Sequence, residues 1–107
     1  MATPLLCLST CPDAQTAERI ARTLVEERVA ACVNRVEGVT STYRWQGRIQ
    51  NDAEIMLLIK TTRERFPRLR ERLLELSPYT MPELVALDIT DGSPAYLDWI
   101  ARETTTP

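Results

Sequence analysis

The spacing of apolar residues changes repeatedly along the chain, and each change marks a new element. Leu5-Leu6-Cys7-Leu8 is a short unbroken apolar run followed by Ser9-Thr10-Cys11-Pro12-Asp13, the pattern of a buried strand that runs through a turn into a helix capped by Asp13. Ala17, Ile20, Ala21, Leu24 and Val25 then recur at i, i+3, i+4, i+7 and i+8, with Glu18, Arg19, Arg22, Glu26 and Arg28 on the other face. That spacing predicts an amphipathic helix of about fifteen residues. Beyond Val29-Ala30-Ala31 the period drops to two: Val39, Ser41, Tyr43 and Trp45 share one face of a strand, and Thr40, Thr42, Arg44 and Gln46 the other. Gly47 supplies a turn, and Arg48 to Thr61 returns as a second strand whose interior, Ile55-Met56-Leu57-Leu58-Ile59, is apolar on both faces.

Arms of about fourteen residues at about 3.3 Å each would span about 45 Å, longer than a globule with a radius of gyration near 13 Å can cover. The hairpin must therefore bend, at Gly38 or at Asn51-Asp52, or reach a second subunit. Tyr43 and Trp45 near its tip have little of their own chain to pack against, which favours a partner.

Phe66, Leu69, Leu73 and Leu76 mark a second amphipathic helix, with Pro67 tolerated in its first turn and Ser77-Pro78 as its stop. Leu84 to Ile89 reads as a further strand closed by Asp91-Gly92. Pro94 opens a short helix carrying Tyr96, Leu97, Trp99 and Ile100, and the tail Thr104-Thr105-Thr106-Pro107 is expected to fray. The order is β-α-β-β-α-β plus a C-terminal helix: an α+β, ferredoxin-like domain spanning residues 1–107, with two helices on one face of a four-stranded antiparallel sheet.

Composition narrows the function classes. The chain is 44% apolar and 26% charged, as in an ordinary globule, and thirteen basic against fifteen acidic residues leave no field to attract nucleic acid. The N-terminus lacks a cationic stretch and the longest aliphatic run is Ile55 to Ile59, so neither a signal peptide nor a membrane span is expected. Three cysteines, an odd number, argue against a disulfide framework and for a reducing, cytoplasmic setting. The absence of histidine excludes any Ser-His-Asp, Cys-His or His-metal chemistry within the chain.

The remaining candidates are few. Cys7, Cys11 and Cys32 are the thiols that could hold a soft metal, but Cys-x3-Cys without a second pair is no closed tetrahedral zinc site. Cys7 and Cys32 read as small buried hydrophobes, whereas Cys11, at a strand-to-helix turn, is the expected reactive thiol. Lys60, one lysine among twelve arginines, is a candidate anion binder or a partner of Glu83. Asp52 and Glu54 share a strand face and read as an exposed charged surface, with hard-cation binding as the alternative. The run from Arg63 to Arg72 is interleaved with Glu64 and Glu71 and reads as the solvated side of a helix. No phosphate loop or nucleophile–base pair is present, so a catalytic reading, with Lys60 acting against Glu83, is disfavoured.

Three stretches taken together carry a resemblance: Leu24-Val25-Glu26-Glu27-Arg28-Val29-Ala30-Ala31-Cys32-Val33-Asn34, then Tyr43-Arg44-Trp45-Gln46-Gly47, then Ile59-Lys60-Thr61 followed by Ser77-Pro78-Tyr79 and Pro82-Glu83. With Tyr96-Leu97-Asp98-Trp99 near the end, the chain resembles the CutA divalent-cation-tolerance family over essentially its full length. The resemblance implies a cytoplasmic, non-enzymatic homotrimer similar in build to the PII signalling proteins, linked to tolerance of copper and other divalent metals and needing no fixed cofactor. It gathers Cys32, Asn34, Tyr43, Trp45, Lys60, Tyr79, Glu83 and Trp99 around an inter-subunit cleft. The leading expectation for that cleft is a small ligand or a metal, with Cys32 or Cys11 as the soft donor. Members commonly carry His immediately before the Pro-Tyr pair; here that place is Ser77, so a site relying on that imidazole is not carried over. The alternative is a PII-like signalling or scaffold trimer that binds a small anion through Lys60.

Overall fold

The computed structural model describes residues 2–105. Strand β1 spans Pro4–Cys11, helix α1 Ala14–Glu26, β2 Cys32–Trp45, β3 Arg48–Thr62, α2 Phe66–Leu76, β4 Val85–Asp88 and α3 Pro94–Glu103. The sheet has the order β2-β3-β1-β4 with every neighbouring pair antiparallel, which is the expected ferredoxin-like arrangement.

Helices α1 and α2 cover one face. Asp13 caps α1 by accepting the Thr16 N–H at 2.8 Å. Ala17, Ile20 and Leu24 of α1 and Leu69 and Leu73 of α2 enter a core with Leu5, Cys7, Cys11, Leu57 and Ile59. Val25, expected on the apolar stripe, is exposed at its edge. At the end of α1, Arg28 adopts φ 59°. The Arg28 N–H then reaches Val25 O and the Val29 N–H reaches Leu24 O, closing the last turn. The Arg28 side chain donates to the carbonyls of Arg102 and Thr105, tying the end of α3 to the end of α1. Thr104 is accordingly buried and donates to Ile100 O at 2.8 Å, so it does not fray; Thr106 and Pro107 lie outside the described residues.

Three elements differ from the sequence reading. First, β1 continues through Ser9, Thr10 and Cys11, which pair with Leu57, Met56 and Ile55, and does not turn after Leu8. The hydroxyl of Ser9 is satisfied by the Glu83 carbonyl at 2.7 Å, which removes the cost of burying it. Second, β2 begins at Cys32, seven residues before the alternating stretch, because Cys32 to Val36 pair with Lys60 to Met56. Third, β4 is confined to Val85–Asp88, the residues that find partners on β1.

The bend in the hairpin falls at Gly38, φ 79°, where Glu37 and Gly38 sit opposite Ile55 alone in a β-bulge; pairing through Asn51 and Asp52 is uninterrupted. The extra residue changes the parity of β2. Even positions Cys32, Asn34 and Val36 face away from the helices before the bulge, and odd positions Val39, Ser41, Tyr43 and Trp45 continue that same face after it. Since β1 pairs with β3 only from Ile55 onward, residues 39–54 form a two-stranded ribbon that projects from the sheet and stretches the molecule to 44 Å against 26 and 22 Å across. Gln46 and Gly47, both at positive φ, make the two-residue turn at its tip.

Candidate functional site

The face turned away from α1 and α2 carries two separate groups of polar residues, one at each end of β3. At the ribbon end, Tyr43 and Trp45 of β2 pair with Gln50 and Arg48 of β3, and Asp52 and Glu54 follow Gln50 at every second position, so Tyr43, Trp45, Asp52 and Glu54 stand on one side. The Tyr43 hydroxyl donates to Asp52 Oδ2. The segment after α2 closes the other wall: Ser77 ends the helix, its Oγ accepts the Tyr79 N–H at 3.2 Å, and the Tyr79 hydroxyl donates to Glu54 Oε2 at 2.6 Å. Glu83 is anchored through its carbonyl to Ser9. The open cleft between them has a volume of about 650 Å³ and is lined by Thr10, Tyr43, Arg44, Trp45, Glu54, Tyr79, Met81 and Glu83 among others.

Both phenols are held protonated. Burial, followed by the hydrogen bond to and charge of Glu54, drives Tyr79 well above its ordinary range. The hydrogen bond to Asp52 raises Tyr43. Each tyrosine therefore acts as a donor that fixes a carboxylate, and each carboxylate keeps a second oxygen free of that bond.

At the opposite end, Cys32 and Lys60 are cross-strand partners, and Asn34 stands two residues along on the same face. The Lys60 ammonium donates to Asn34 Oδ1, and Cys32 Sγ lies 3.9 Å from that same oxygen. Lys60 does not pair with Glu83. Lys60 and Leu6 are register partners, as are Leu8 and Val85, so Glu83 lies beyond the far end of β4 and across β1. Trp99 belongs to neither group; it stacks on Tyr96 of α3 with ring centroids 5.5 Å apart.

Of the eight residues expected at one cleft, four (Tyr43, Trp45, Tyr79 and Glu83) meet within a single chain. Asp52, exposed as the sequence reading has it, and the half-buried Glu54 accept the two phenols. The i, i+2 alternation placed them on one face, but the tyrosine that reaches Glu54 is 25 residues away and left no local signal.

The thiols require a correction. Cys11 is the last residue of β1, 1% exposed, and is not on the turn; burial together with the charges of Asp13 and Glu54 pushes its thiol up to about 11, the reverse of activation by a helix N-terminus. Cys7 is likewise buried and pushed up to about 11. Cys32, expected to be a buried hydrophobe, is the half-exposed thiol. It aligns with Lys60 and Cys11 with Ile55, so about 17 Å of strand separates them. Among the described residues no group of three His, Cys, Asp or Glu side chains is arranged to hold a metal ion.

The fold and the cleft together define a ferredoxin-like α+β domain with a projecting hairpin and an aromatic, carboxylate-bearing pocket at its root. Residues 5–103 match the family described as CutA1 divalent ion tolerance protein, and the chain belongs to that family. It is 55% identical over 97 residues to the divalent-cation tolerance protein CutA of Thermus thermophilus, covering 91% of this chain and 94% of that one. It is 42% identical over 95 residues to protein CutA of Mus musculus, of which it spans 54%. Among solved structures, CutA from Xylella fastidiosa superposes with a TM-score of 0.94 at 48% identity over 96% of this chain and 99% of that one. The Thermus thermophilus protein gives 0.93 at 52% identity over 95% and 99%.

Proposed function

We propose that this chain serves divalent-cation tolerance as a non-enzymatic homotrimer, with copper or another divalent cation, or a small ligand, taken up in clefts between subunits. The observation that carries this reading is the uncovered face of the sheet. Val36, Val85 and Leu87 are 41%, 51% and 49% exposed there, and the ribbon of residues 39–54 projects past the end of β1 with no third strand beside it among the described residues. An apolar sheet face and a flat hairpin in water call for burial, and a neighbouring copy supplies it. The two polar groups lie at opposite ends of that face, so a head-to-tail ring would bring the tyrosine end of one subunit toward the Cys32 and Lys60 end of the next. With Cys11 buried and no group of three ligating side chains among the described residues, a soft metal would take Cys32 as its thiol and complete its shell from a second subunit.

Native mass spectrometry of the protein as isolated, then with added copper or zinc, tests this. A trimer that takes up metal, and loses it in Cys32→Ser, is expected; a monomer overturns the assembly, and unchanged uptake in Cys32→Ser overturns the thiol assignment. A cytoplasmic setting is part of the proposal and rests on the three unpaired cysteines. Relatives carry other addresses in their names, chloroplastic in Arabidopsis thaliana and periplasmic in Archaeoglobus fulgidus.

A second reading rests on Lys60, whose ammonium meets a neutral amide and no carboxylate among the described residues. A PII-like trimer binding a small anion there predicts that Lys60→Ala abolishes anion-induced thermal stabilisation without dissociating the assembly.

A further inference from the structure

Helix α1 ends in a left-handed turn that glycine fills with less strain than any other residue. Arg28 stands there at φ 59°, with its N–H on Val25 O and the following N–H, of Val29, on Leu24 O. A residue with a Cβ keeps that conformation only where its surroundings fix it, so what the arginine adds over glycine is its side chain. That side chain reaches 74 and 77 residues along the chain: Nη2 donates to Arg102 O at 3.0 Å and Nε to Thr105 O at 3.2 Å. Both carbonyls belong to the end of α3, where a helix leaves its last acceptors unsatisfied, and Glu103 lies 4.0 Å from the same guanidinium. Arg65 donates to the carbonyls of Arg28 and Glu27 at 3.2 and 3.5 Å and so steadies the backbone from which Arg28 reaches. We infer that Arg28 is a latch and α3 a strap: α3 opens and closes as a unit while the rest of the domain stays folded, and the Arg28 side chain sets how often it does so.

The two ends of α3 place it on the sheet. The Ile89 N–H donates to Pro4 O at 3.1 Å, so the chain leaves β4 beside the start of β1. The Arg28 bonds put the other end of α3 beside the loop that enters β2, where the Ala31 N–H meets Lys60 O at 2.8 Å. Helix α3 therefore crosses from the β4 side of the sheet to the β2 side and lies against β1 and β3 on the way. Ile100, the buried residue of α3, stands outside the core that α1 and α2 share. The leading half of the strap is loosely held: residues 90–96 are all exposed, Ser93 at the N-cap makes no side-chain cap bond, and the ring of Tyr96 stacks on Trp99 of the same helix. Attachment is concentrated in the last turn, in Ile100, Thr104 and the two Arg28 bonds. Little buried apolar surface behind an exposed connection is the make-up of a segment that opens locally. Opening frees the end of the sheet next to Cys32 and Lys60. Latch and strap belong to one chain, so the inference rests on bonds within a protomer and not on how copies assemble.

The test is amide hydrogen exchange of the intact protein at one fixed protein concentration and a series of low urea concentrations. It compares residues 98–103, whose amides bond within α3, with residues 56–60 of β3, which pair with strands on both sides. In the wild type the α3 amides are expected to exchange faster than those of β3 and with little dependence on urea, because opening a strap exposes little surface. Arg28→Gly and Arg28→Asn both suit a positive φ and both remove the reach to α3, so each should quicken α3 about tenfold relative to β3. Taking the ratio within each variant cancels any change in global stability, and if one variant does not fold the other carries the test. Exchange of α3 at the rate and urea dependence of β3 would mean that α3 opens only with the whole domain and would overturn the strap. An unchanged ratio in the variants, or quickening in Arg28→Gly but not in Arg28→Asn, which assigns the effect to backbone freedom, would overturn the latch.

Discussion

Removing the Tyr79 hydroxyl probes the cleft with the smallest change. In Tyr79→Phe the ring still packs, but the O–H···O⁻ bond to Glu54 at 2.6 Å is lost. A hydrogen bond to a charged group contributes about 1.5–3 kcal/mol net, and because Tyr79 and Glu54 are only half-buried in an open cleft the lower end applies, about 1.5 kcal/mol. The carboxylate left behind regains water, for which the cleft has room, so no buried unpaired charge adds to the loss. For a domain of this size that is roughly 6–12 °C in melting temperature. The assay is urea unfolding at one fixed protein concentration for wild type, Tyr79→Phe, Glu54→Ala and the double variant, with a coupling energy of about 1–1.5 kcal/mol expected. Coupling below about 0.3 kcal/mol, the level at which independent sites already add, would refute the claim that these two groups hold the cleft together. The pH dependence has a definite sign. Tyr79 is raised above its ordinary value of 10.0, so the folded chain keeps a proton that the unfolded chain loses. The stabilisation is full below pH 10 and declines as pH rises beyond it, and Tyr79→Phe should lose less stability over that range.

Four further outcomes follow from burial, titration and backbone geometry. A thiol reagent applied to the folded protein at pH 8 should label Cys32 alone, with Cys7 and Cys11 reacting only on unfolding; equal labelling of all three would contradict their 0% and 1% exposure. These two buried thiols, pushed up to about 11, add stability that is fully present below about pH 8.5 and is lost as pH rises through 11, so Cys11→Ala should flatten the alkaline limb of the stability curve. Gly47→Ala, at φ 80° with open space around a new Cβ, should cost about 1–2 kcal/mol of backbone strain and nothing from packing, read as a shift in urea midpoint. Leu73→Ala should cost about 2–5 kcal/mol and its neighbour Leu74→Ala, half exposed, under about 1; comparable losses at both would mean that the outer side of α2 is covered in solution.

Most element positions were legible in the sequence because they rest on local periodicity. The 3.6-residue recurrence in α1 and α2 and the alternation from Val39 to Trp45 are properties of short windows, and the helix stops at Ser77 where the dipeptide Ser77-Pro78 ends the pattern. The three-residue early end placed on β1 and the late start placed on β2 arise where a strand's identity comes from its partner: Ser9 to Cys11 are polar or small and become strand only by pairing with β3. Cys11 was misjudged for the same reason, since the helix that follows it does begin nearby, but β3 covers it first.

By itself, the sequence determined the class of the fold, the presence of a hairpin too long for its own globule, and the exclusion of imidazole chemistry. Each of these depends on composition or on residues close along the chain. Only the tertiary structure decided which side chains meet. The bulge at Gly38 shifts β2 by one residue and so puts Tyr43 and Trp45 on the same face as Cys32 and Asn34, and the return of the chain after α2 brings Tyr79 to Glu54. It also decided that Cys11 is buried at the end of β1 and that Lys60 answers to Asn34 and not to Glu83. These outcomes turn on strand register and on contacts across 25 or more residues, and a one-residue change of register would reverse every one of the faces involved.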